Sequence, residues 1–294
     1  MLIKYNEPLS RHTSFKIGGP AFCWVEPEGL DDILEAIGLS EKNNKTFFVF
    51  GKGTNLLVRD EGYDGVAINL RRKGFDSIEN EDDEIIKIGA GSSISKLIKY
   101  ASETCLSGCE FLTGIPGNLG GAIFMNAGVR DLEDVNRFRE IKDIILDVEV
   151  LDLLDRKHKA LGVKDIDFRY RSSNLNNKVI LCARVKLKKD KKSNILEQAD
   201  SFMKRRQWIQ GLGFHSAGSV FKNPQGDKPA GMLIEACGLK GKGIGNAEIS
   251  KLHANFIVNL GSAKAKDVLE LIELARESVK ERFGVDLELE IKVV

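Results

Sequence analysis

Two glycine-rich segments carry residue types suited to binding a phosphate group. The first is Gly51-Lys52-Gly53-Thr54-Asn55, and the second runs from Gly114 to Gly121 with the sequence GIPGNLGG. Glycine tolerates positive φ and has no Cβ, so successive backbone N–H groups can point into one concavity that a pyrophosphate enters. Each segment alone is equally consistent with a tight turn. Together the two loops favour a dinucleotide site.

The first loop does not fit the fingerprint of a Rossmann unit. It begins Gly-x-Gly after a strand, but Leu56 replaces the third glycine. Only Leu57-Val58-Arg59 then precede the next turn, whereas a βαβ crossover needs about a dozen residues or more. The sequence therefore predicts a phosphate cradle assembled from loops.

Cysteine and histidine do not form a metal-binding pattern. Cys105 and Cys109 stand four residues apart and could share a helix face, but no second close pair follows, and the four histidines are widely separated. Buried apolar cysteines are the stronger interpretation, and we predict no metal site. The odd number of scattered cysteines predicts a reducing compartment, the cytoplasm, and no disulfide scaffold.

Several motifs occur in an order that resembles one enzyme family along nearly the whole chain. They are HTSFKIGG from His12, GKGTNLLV from Gly51, GIPGNLGGA from Gly114, MNAG from Met125, RYRSS from Arg169, AGSVFKNP from Ala217 and HANFIVN from His253. This set resembles the UDP-N-acetylenolpyruvoylglucosamine reductases (UDP-N-acetylmuramate dehydrogenases), flavoenzymes of peptidoglycan precursor synthesis. Little sequence separates Arg171 from the strand near Val179, so the resemblance is to the shorter, second type, which lacks a tyrosine-bearing insertion.

The resemblance implies an α+β fold, in which a two-subdomain FAD-binding fold of the PCMH/VAO type is followed by an α+β substrate-binding domain. The residues that it implies for FAD are Gly51, Lys52, Gly53, Thr54, Asn55, Leu56, Gly114, Ile115, Pro116, Gly117, Gly120, Gly121, Asn126, Gly128 and Lys292. Lys292 stands where the family usually has an arginine, and a lysine supplies charge without the bidentate fork. Gly243-Ile244-Gly245-Asn246 also departs from the family's Arg-Ile-Gly-Gly.

The resemblance further implies a reaction of two hydride transfers and one protonation. NADPH reduces FAD, and the flavin passes hydride to the enolpyruvyl methylene of UDP-N-acetylglucosamine enolpyruvate, which becomes UDP-N-acetylmuramate. Electron density then collects on the neighbouring carbon and its carboxylate. Such an intermediate needs a cation or hydrogen-bond donors at the carboxylate and an acid at the carbon.

Three residues are implied as catalytic. Arg171 is always charged and can bind a carboxylate by two parallel hydrogen bonds. Ser219 is implied as the acid, although a hydroxyl serves only if its incipient alkoxide is stabilised or its proton is replaced. Glu290 is implied to polarise or orient the carboxyl region, while Glu288, on the same strand face, has no implied role. The residues implied to contact the substrate are Tyr170, Lys222, Asn223 and Asn255.

Composition agrees with a small-molecule partner. The chain carries 44 basic and 43 acidic residues, whereas a general nucleic-acid binder has a basic excess. No apolar run reaches the roughly 18 residues of a membrane helix, and the first residues lack the layout of a signal peptide. We therefore expect a UDP-sugar ligand and neither nucleic acid nor membrane as partner. The oligomeric state stays open.

The length of 294 residues suggests two or three domains. We predict FAD-binding subdomains at 1–70, rejoined by strand 288–294, and at 71–188, with a substrate domain at 189–287. Expected elements include helices capped by Ser92 and Ser262, a solvated acidic turn at 79–84 and a final strand over 287–294. Glycine 284 should end the last helix.

Two other classes keep some of these features. Another FAD enzyme, one that oxidises an alcohol or a sugar, would keep the glycine loops but would not need the surroundings of Ser219 and Glu290. A nucleotide-binding protein without catalysis would keep binding and show no flavin turnover.

Overall fold

The computed structural model describes residues 1–134, 137–210, 213–226 and 228–294, except for the side chains of residues 209 and 210. The chain divides into two compact units. Unit 1 comprises Met1–Ile3, Val25–Gly51 and Ile68–Arg206, and unit 2 comprises Lys4–Trp24, Lys52–Ala67 and Gln207–Val294. The finer division into three domains stays a prediction.

Helices of both units follow the apolar spacing of the sequence. Those in the described residues are α1 Leu30–Lys42, α2 Ile94–Glu103, α3 Leu119–Phe124, α4 Lys192–Gln210, α5 Ala230–Ala236 and α6 Ala265–Phe283, with short 3-10 turns at Leu9–Arg11, Glu110–Leu112, Ile141–Asp143 and Val163–Asp165. None of the described helices is long and apolar enough to cross a membrane. As predicted, α6 ends at Gly284, whose φ of 67° is left-handed.

The helix caps differ from the predicted ones. Helix α2 is capped by Ser93, whose hydroxyl accepts a hydrogen bond from the Lys96 N–H at 3.1 Å. The predicted cap, Ser92, donates instead to the carboxylate of Asp76 at 2.9 Å. The prediction was wrong by one residue because either serine suits a cap, and tertiary contacts decide which one faces the helix.

The predicted cap of α6 was also wrong. Ser262 has a φ of 61° and lies outside the helix, which begins after Lys264. Two N–H groups of the first turn, of Ala265 and Lys266, donate instead to the carboxylate of Asp60 at 2.8 and 3.1 Å. Because this acceptor comes from a distant part of the chain, local sequence could not reveal it.

The strands are numbered along the chain. They are β1 Leu2–Pro8, β2 Pro20–Glu26, β3 Thr46–Phe50, β4 Leu56–Leu57, β5 Tyr63–Asn69, β6 Ile78–Asp82, β7 Ile85–Gly89, β8 Leu106–Ser107, β9 Gly128–Arg130, β10 Phe138–Glu140, β11 Ile145–Asp152, β12 Lys157–Gly162, β13 Lys178–Lys186, β14 Lys188–Lys189, β15 Gly243–Ile244, β16 Ala247–Ile249, β17 Ile257–Asn259 and β18 Lys292–Val293. The two larger sheets have the orders β1-β2-β5-β3 and β12-β11-β13-β7-β6.

The five-stranded antiparallel sheet belongs to unit 1. Its central strand, β13, pairs with β11 and β7, and the facing residues Ala183 and Ile88 are fully buried. The acidic segment at 79–84 was predicted as a turn, but most of it forms the edge strand β6. An edge strand such as β6 hydrogen-bonds to one neighbouring strand, and its other edge faces solvent. Exposed charges are tolerated there, and they discourage that free edge from pairing with another chain.

Unit 2 is built on the long helix α6 and the three-stranded antiparallel sheet β15-β16-β17. The buried side chains of α6 recur at three- and four-residue steps, as an amphipathic helix requires; they are Ala265, Val268, Leu271, Ile272, Ala275 and Val279. The predicted strand over 287–294 is shorter. Only β18 is regular, and it pairs in parallel with β4.

Candidate active site

A tight turn in unit 1 presents Tyr170 and Arg171. The backbone groups of Arg169 and Ser172 bond to each other across the turn at 3.0 and 3.3 Å. The Nδ2 of Asn126 donates to the carbonyl of Arg169 at 3.1 Å, which fastens the turn to the MNAG segment. Asn126 was expected at the FAD site, so the fold brings two predicted site motifs together.

Arg171 is held in a defined orientation. Its φ of 54° is left-handed, a conformation that costs about 1 kcal/mol or more for a residue with a Cβ. Nη2 donates to the carbonyl of Gly128 at 2.8 Å, and the guanidinium lies 4.9 Å from the ring centroid of Tyr170. Tyr170 in turn packs edge-to-face against Phe138. A strained backbone kept in place by side-chain contacts is typical of a functional site.

Several backbone N–H groups of the second glycine loop donate hydrogen bonds to other backbone groups of the protein. The N–H groups of Leu119 and Gly120 donate to Ser92 and Ala90 at 2.9 Å each, and Ile115 donates to Leu112 at 3.0 Å. These three donors are unavailable to a phosphate. The cradle is therefore smaller than the glycine count alone indicates.

Two of the predicted cofactor glycines have packing reasons. A Cβ at Gly120 would lie 3.0 Å from that of Ala90, and one at Gly128 would lie 2.3 Å from the carbonyl oxygen of Arg139. Gly128 thereby permits the close approach of β9 and β10. Gly121 has nothing within 4 Å of the position of a Cβ, so packing does not explain it.

Unpartnered polar atoms near this loop fit a flavin. Buried side-chain atoms without a hydrogen-bond partner among the described residues include Thr113 Oγ1, Asn118 Oδ1 and Asn126 Oδ1. Each such group costs about 1–3 kcal/mol unless a ligand satisfies it. The ring N–H and ribityl hydroxyls of a flavin are donors that suit these acceptors. The residues present therefore fit FAD.

Thr113 and Asn118 were missed as site residues. Asn118 begins α3, and its Nδ2 donates to the carbonyl of Gly91, which leaves the amide oxygen available. A polar side chain beside a glycine loop was the only sequence signal for either residue. A turn residue at the surface produces the same signal.

In unit 2, the backbone segments that carry Ser219 and Glu290 are hydrogen-bonded neighbours. The N–H of Glu290 donates to the carbonyl of Val220 at 2.8 Å, and Ser219 forms a bridge with Phe256 on its other side. Ser219 and Glu290 are half-buried, whereas the side chain of Glu288 is 74% exposed. The backbone thus brings a hydroxyl and a carboxyl group predicted to be catalytic onto adjacent segments.

Asn55 connects the first glycine loop to this region. Its Nδ2 donates to the carbonyl of Glu290 at 3.0 Å, and its own carbonyl accepts from the Lys292 N–H at 3.0 Å. Burial lowers the pKa of Lys292, because a buried ammonium loses hydration. Predicted site residues from two distant segments, the first glycine loop and the end of the chain, therefore meet in unit 2.

Ser14 explains the HTSF motif. Its hydroxyl lies 3.2 Å from the carbonyl oxygen of Gly53 and 2.7 Å from that of Ser216, three residues before Ser219. Its N–H also donates to Gly53 at 3.1 Å. Ser14 therefore fastens the first glycine loop and the Ser219 segment to one point, a role that the sequence did not reveal.

The predicted substrate residues of unit 2 also make protein contacts. The Nζ of Lys222 lies 2.5 Å from a carboxylate oxygen of Glu288. Glu288, which had no implied role, therefore forms an ion pair with a predicted substrate residue. The side-chain oxygen of Asn223 accepts from the N–H of Ala230, the first residue of α5, at 3.1 Å. Their contacts with substrate stay predictions.

Both side-chain polar atoms of Asn255 form hydrogen bonds with the backbone of Phe221. Oδ1 accepts from the Phe221 N–H at 2.9 Å, and Nδ2 donates to the Phe221 carbonyl at 2.8 Å. Its backbone carbonyl accepts from Val220 at 2.8 Å, and the residue is 4% exposed. The side chain thus acts as a strand partner for the segment that carries Ser219.

The glycines of the 238–245 segment serve turns. Gly238, Gly241 and Gly245 have positive φ values of 74°, 75° and 54°. A Cβ at Gly245 would lie 2.5 Å from the carboxylate of Asp267. The departure from the family pattern at 243–246 therefore lies in a hairpin in which Gly245 has a structural reason. In the part of the chain described, no cluster of His, Cys, Asp and Glu could hold a metal ion.

We predict that His253 makes the free energy of unfolding depend on pH. Burial lowers its pKa from the ordinary 6.5, and its Nδ1 accepts from the Asn255 N–H at 3.2 Å. On acidification the unfolded chain binds a proton near pH 6.5 before the folded protein does, so the free energy of unfolding rises with pH in this window and falls on acidification. We expect His253→Asn, which keeps an acceptor, to reduce the loss of stability between about pH 7.5 and 5.5.

Urea unfolding at both pH values measures this effect. His215→Asn is the matched control, because this histidine is exposed and its hydrogen bond with Asn259 is made by its backbone carbonyl, which asparagine keeps. An equal acid loss in wild type and His253→Asn would contradict the assignment.

Comparison with known families agrees with both units. Residues 22–155 match the model of an FAD binding domain, and residues 210–294 match the C-terminal domain of UDP-N-acetylenolpyruvoylglucosamine reductase. The UDP-N-acetylenolpyruvoylglucosamine reductase of Desulforamulus reducens is 41% identical over 295 residues, which cover 99% of this chain and 93% of the relative. That of Bacillus subtilis is 39% identical over 292 residues, covering 98% and 93%.

A solved structure shows the same fold. The crystal structure of the reductase from Thermus caldophilus superposes with a TM-score of 0.82 at 35% identity and covers 99% of this chain and 98% of its own. The predicted α+β FAD-binding fold is confirmed, and the fold and site define an FAD-dependent oxidoreductase.

The chain belongs to the UDP-N-acetylenolpyruvoylglucosamine reductase family. It is a flavoenzyme that reduces the enolpyruvyl group of its UDP-sugar substrate to give UDP-N-acetylmuramate for peptidoglycan synthesis, with NADPH as the reductant.

Proposed function

We propose that Arg171, Ser219 and Glu290 carry out the enolpyruvyl reduction in this chain. The observation that best supports the proposal is the hydrogen bond from the Glu290 N–H to the Val220 carbonyl, next to Ser219, with Asn55 bonded to the Glu290 carbonyl. A hydroxyl and a carboxyl group on adjacent segments suit a step that transfers one proton and stabilises one anion.

When bound, FAD would supply hydride chemistry for the enolpyruvyl methylene carbon, with NADPH as the source of the electrons. Thr113, Asn118 and Asn126 would hold it through their buried, unpartnered polar atoms. The loops at 51–56 and 114–121 and Lys292 are the remaining proposed contacts with FAD, except that Gly120 and Gly128 contribute through packing.

Arg171 would bind the substrate carboxylate. When hydride adds to the methylene, the electron pair of the double bond moves to the neighbouring carbon and into its carboxylate. A guanidinium stabilises that charge through charge-assisted hydrogen bonds. The contacts with Gly128 and Tyr170 support this role, because they orient the guanidinium before substrate binds.

Ser219 would donate its hydroxyl proton to that carbon, which completes the new C–H bond. The oxygen then recovers a proton from solvent. Glu290 would orient the carboxyl region of the substrate. Tyr170, Lys222 and Asn223 are proposed to contact the UDP-sugar, whereas the contacts of Asn255 favour a role in holding the segment that carries Ser219.

The other parts of the functional assignment are also proposals. We place the reaction in the cytoplasm, without nucleic acid or membrane partners, where the reductant and UDP-sugars are made. We retain three domains, 1–70 with 288–294, 71–188 and 189–287, as the functional division.

One assay tests the proposed reaction against its alternatives. The holoenzyme should oxidise NADPH rapidly only when UDP-N-acetylglucosamine enolpyruvate is present, and the product should be UDP-N-acetylmuramate. An FAD enzyme that oxidises an alcohol or sugar would not respond to this substrate. A nucleotide-binding protein without catalysis would show no turnover with or without it, and either result would overturn the proposal.

A further inference from the structure

Arg206, near the end of α4, has a guanidinium group with a buried donor that no described residue satisfies. Its Nε is buried and has no hydrogen-bond partner among the residues that the structure describes. Other arginines of unit 1 face carboxylates: Arg184 binds Asp147, and Arg72 binds Glu26 at 2.9 Å. A buried guanidinium donor that lacks an acceptor costs free energy, which a protein tolerates where a ligand can supply one.

The side chain of Arg206 lies against the second glycine loop. A Cβ at Gly114 would stand 2.7 Å from Cδ and 3.5 Å from Nε of Arg206. Gly114 has a φ of 78°, so both its conformation and its lack of a side chain fit this close approach. The guanidinium stem therefore passes beside the loop predicted to bind FAD.

A second cation acts on Arg206. Loss of hydration and then the positive charge of Arg171 lower the pKa of Arg206 to about 10. Both causes disfavour the charged form, which is nevertheless the form present at neutral pH. Two guanidinium groups that repel each other within unit 1 create a local positive potential, and an anion would relieve that repulsion.

We propose that Arg206 binds an oxyanion, a carboxylate or phosphate group of a ligand of the flavin site, together with Arg171. The planar guanidinium fork matches both groups. The inclusion of Arg171 in this proposal rests on the proposed function, in which Arg171 binds the substrate carboxylate. The oxyanion could belong to the enolpyruvyl carboxylate, the UDP pyrophosphate, NADPH or FAD, and the experiment separates these sources.

The test compares Arg206→Gln, Arg206→Met and Arg206→Lys with wild type as holoenzymes. Arg206→Met keeps a long stem over Gly114 but removes the donors, so it isolates charge and hydrogen bonding from packing. The matched control is Arg205→Gln, because the neighbouring Arg205 donates to the backbone carbonyl of Asp131 at 2.7 Å.

Binding is measured without turnover. Changes in the oxidised flavin spectrum give dissociation constants for UDP-N-acetylglucosamine enolpyruvate, for UDP-N-acetylglucosamine, which lacks the carboxylate, and for NADP⁺. Flavin fluorescence after dilution gives the retention of FAD. Weakening of only the enolpyruvyl ligand assigns the carboxylate, and weakening of both UDP-sugars assigns the pyrophosphate. An effect confined to NADP⁺ or to FAD assigns that molecule.

We expect Arg206→Gln and Arg206→Met to weaken one of these ligands about 10- to 100-fold, as for loss of a hydrogen bond to a charged group, with Arg206→Lys in between. Unchanged binding of all four ligands in the Gln and Met variants would overturn the inference. So would an equal loss in Arg205→Gln. If Gln and Met variants do not fold, a Lys variant that binds like wild type also overturns it.

The proposed function is judged separately. It fails if wild type neither binds nor reduces the enolpyruvyl substrate. Even in that case, NADP⁺ binding and FAD retention in the Arg206 variants still decide whether Arg206 binds an oxyanion.

Discussion

Ser219→Ala should slow oxidation of the reduced enzyme by the enolpyruvyl substrate about 10²- to 10⁴-fold, the range that a positioned proton donor contributes. Reduction by NADPH should be unchanged, because that half-reaction needs no proton donor at the substrate carbon. The backbone of the residue is held by its bridge to Phe256, and alanine keeps that backbone. The loss should therefore arise from the hydroxyl alone.

Stopped-flow absorbance of the flavin separates the two half-reactions. Ser216→Ala is the matched control, because Ser216 lies in the same segment and contacts the hydroxyl of Ser14 through its backbone carbonyl, which alanine keeps. If Ser219→Ala slowed both half-reactions equally, a proton-donor role would be excluded and a structural one indicated. A normal rate in the second half-reaction would likewise remove Ser219 from the mechanism.

Arg171→Ala should remove about 2.7–4 kcal/mol of transition-state stabilisation from the second half-reaction, as for loss of one electrostatic donor, which corresponds to roughly 10²- to 10³-fold in rate. Charge develops on the carboxylate only while the double bond is being reduced, so the rate constant should fall more than substrate binding weakens. Alanine also has a Cβ, so the left-handed backbone at this position is no worse strained than with arginine.

Single-turnover rates as a function of substrate concentration measure both quantities. Arg171→Lys should recover part of the rate, because it restores the charge without the bidentate fork. The control is Arg169→Ala, whose side chain is 75% exposed and pairs with Asp167. A kinetically normal Arg171→Ala enzyme would refute the assignment, and so would an equal loss in Arg169→Ala.

Particular residues show how far each motif could be interpreted in advance. The order of GKGTN, GIPGNLGG, RYRSS, AGSVFKNP and HANFIVN predicted the family, FAD and the α+β fold, and all three are confirmed. The individual roles inside a motif were harder to predict. Gly120 and Gly128 belong to the cofactor motifs, yet neighbouring backbone and side chains account for their lack of a Cβ.

Asn255 and Ser14 illustrate the same limit in unit 2. Asn255 belongs to a motif expected to contact substrate, but its amide pairs with the backbone of Phe221. Ser14 had no expected role, yet it contacts both the Gly53 and the Ser216 carbonyls. The sequence alone does not distinguish a polar side chain that contacts a ligand from one that hydrogen-bonds to a backbone group distant along the chain.

Residue types and their order were sufficient to identify the chemistry of this protein, because a flavin and a UDP-sugar each demand specific groups and those groups recur in short local motifs. Local periodicity was likewise sufficient for the amphipathic helices α2 and α6, although not for their caps. Partners distant in sequence required the folded chain: Asp60 at the start of α6, Asn55 at Glu290, and Arg206 beside Gly114. Hydrogen bonding and burial act through space, so only the tertiary structure decides which polar groups are satisfied and which remain for a ligand.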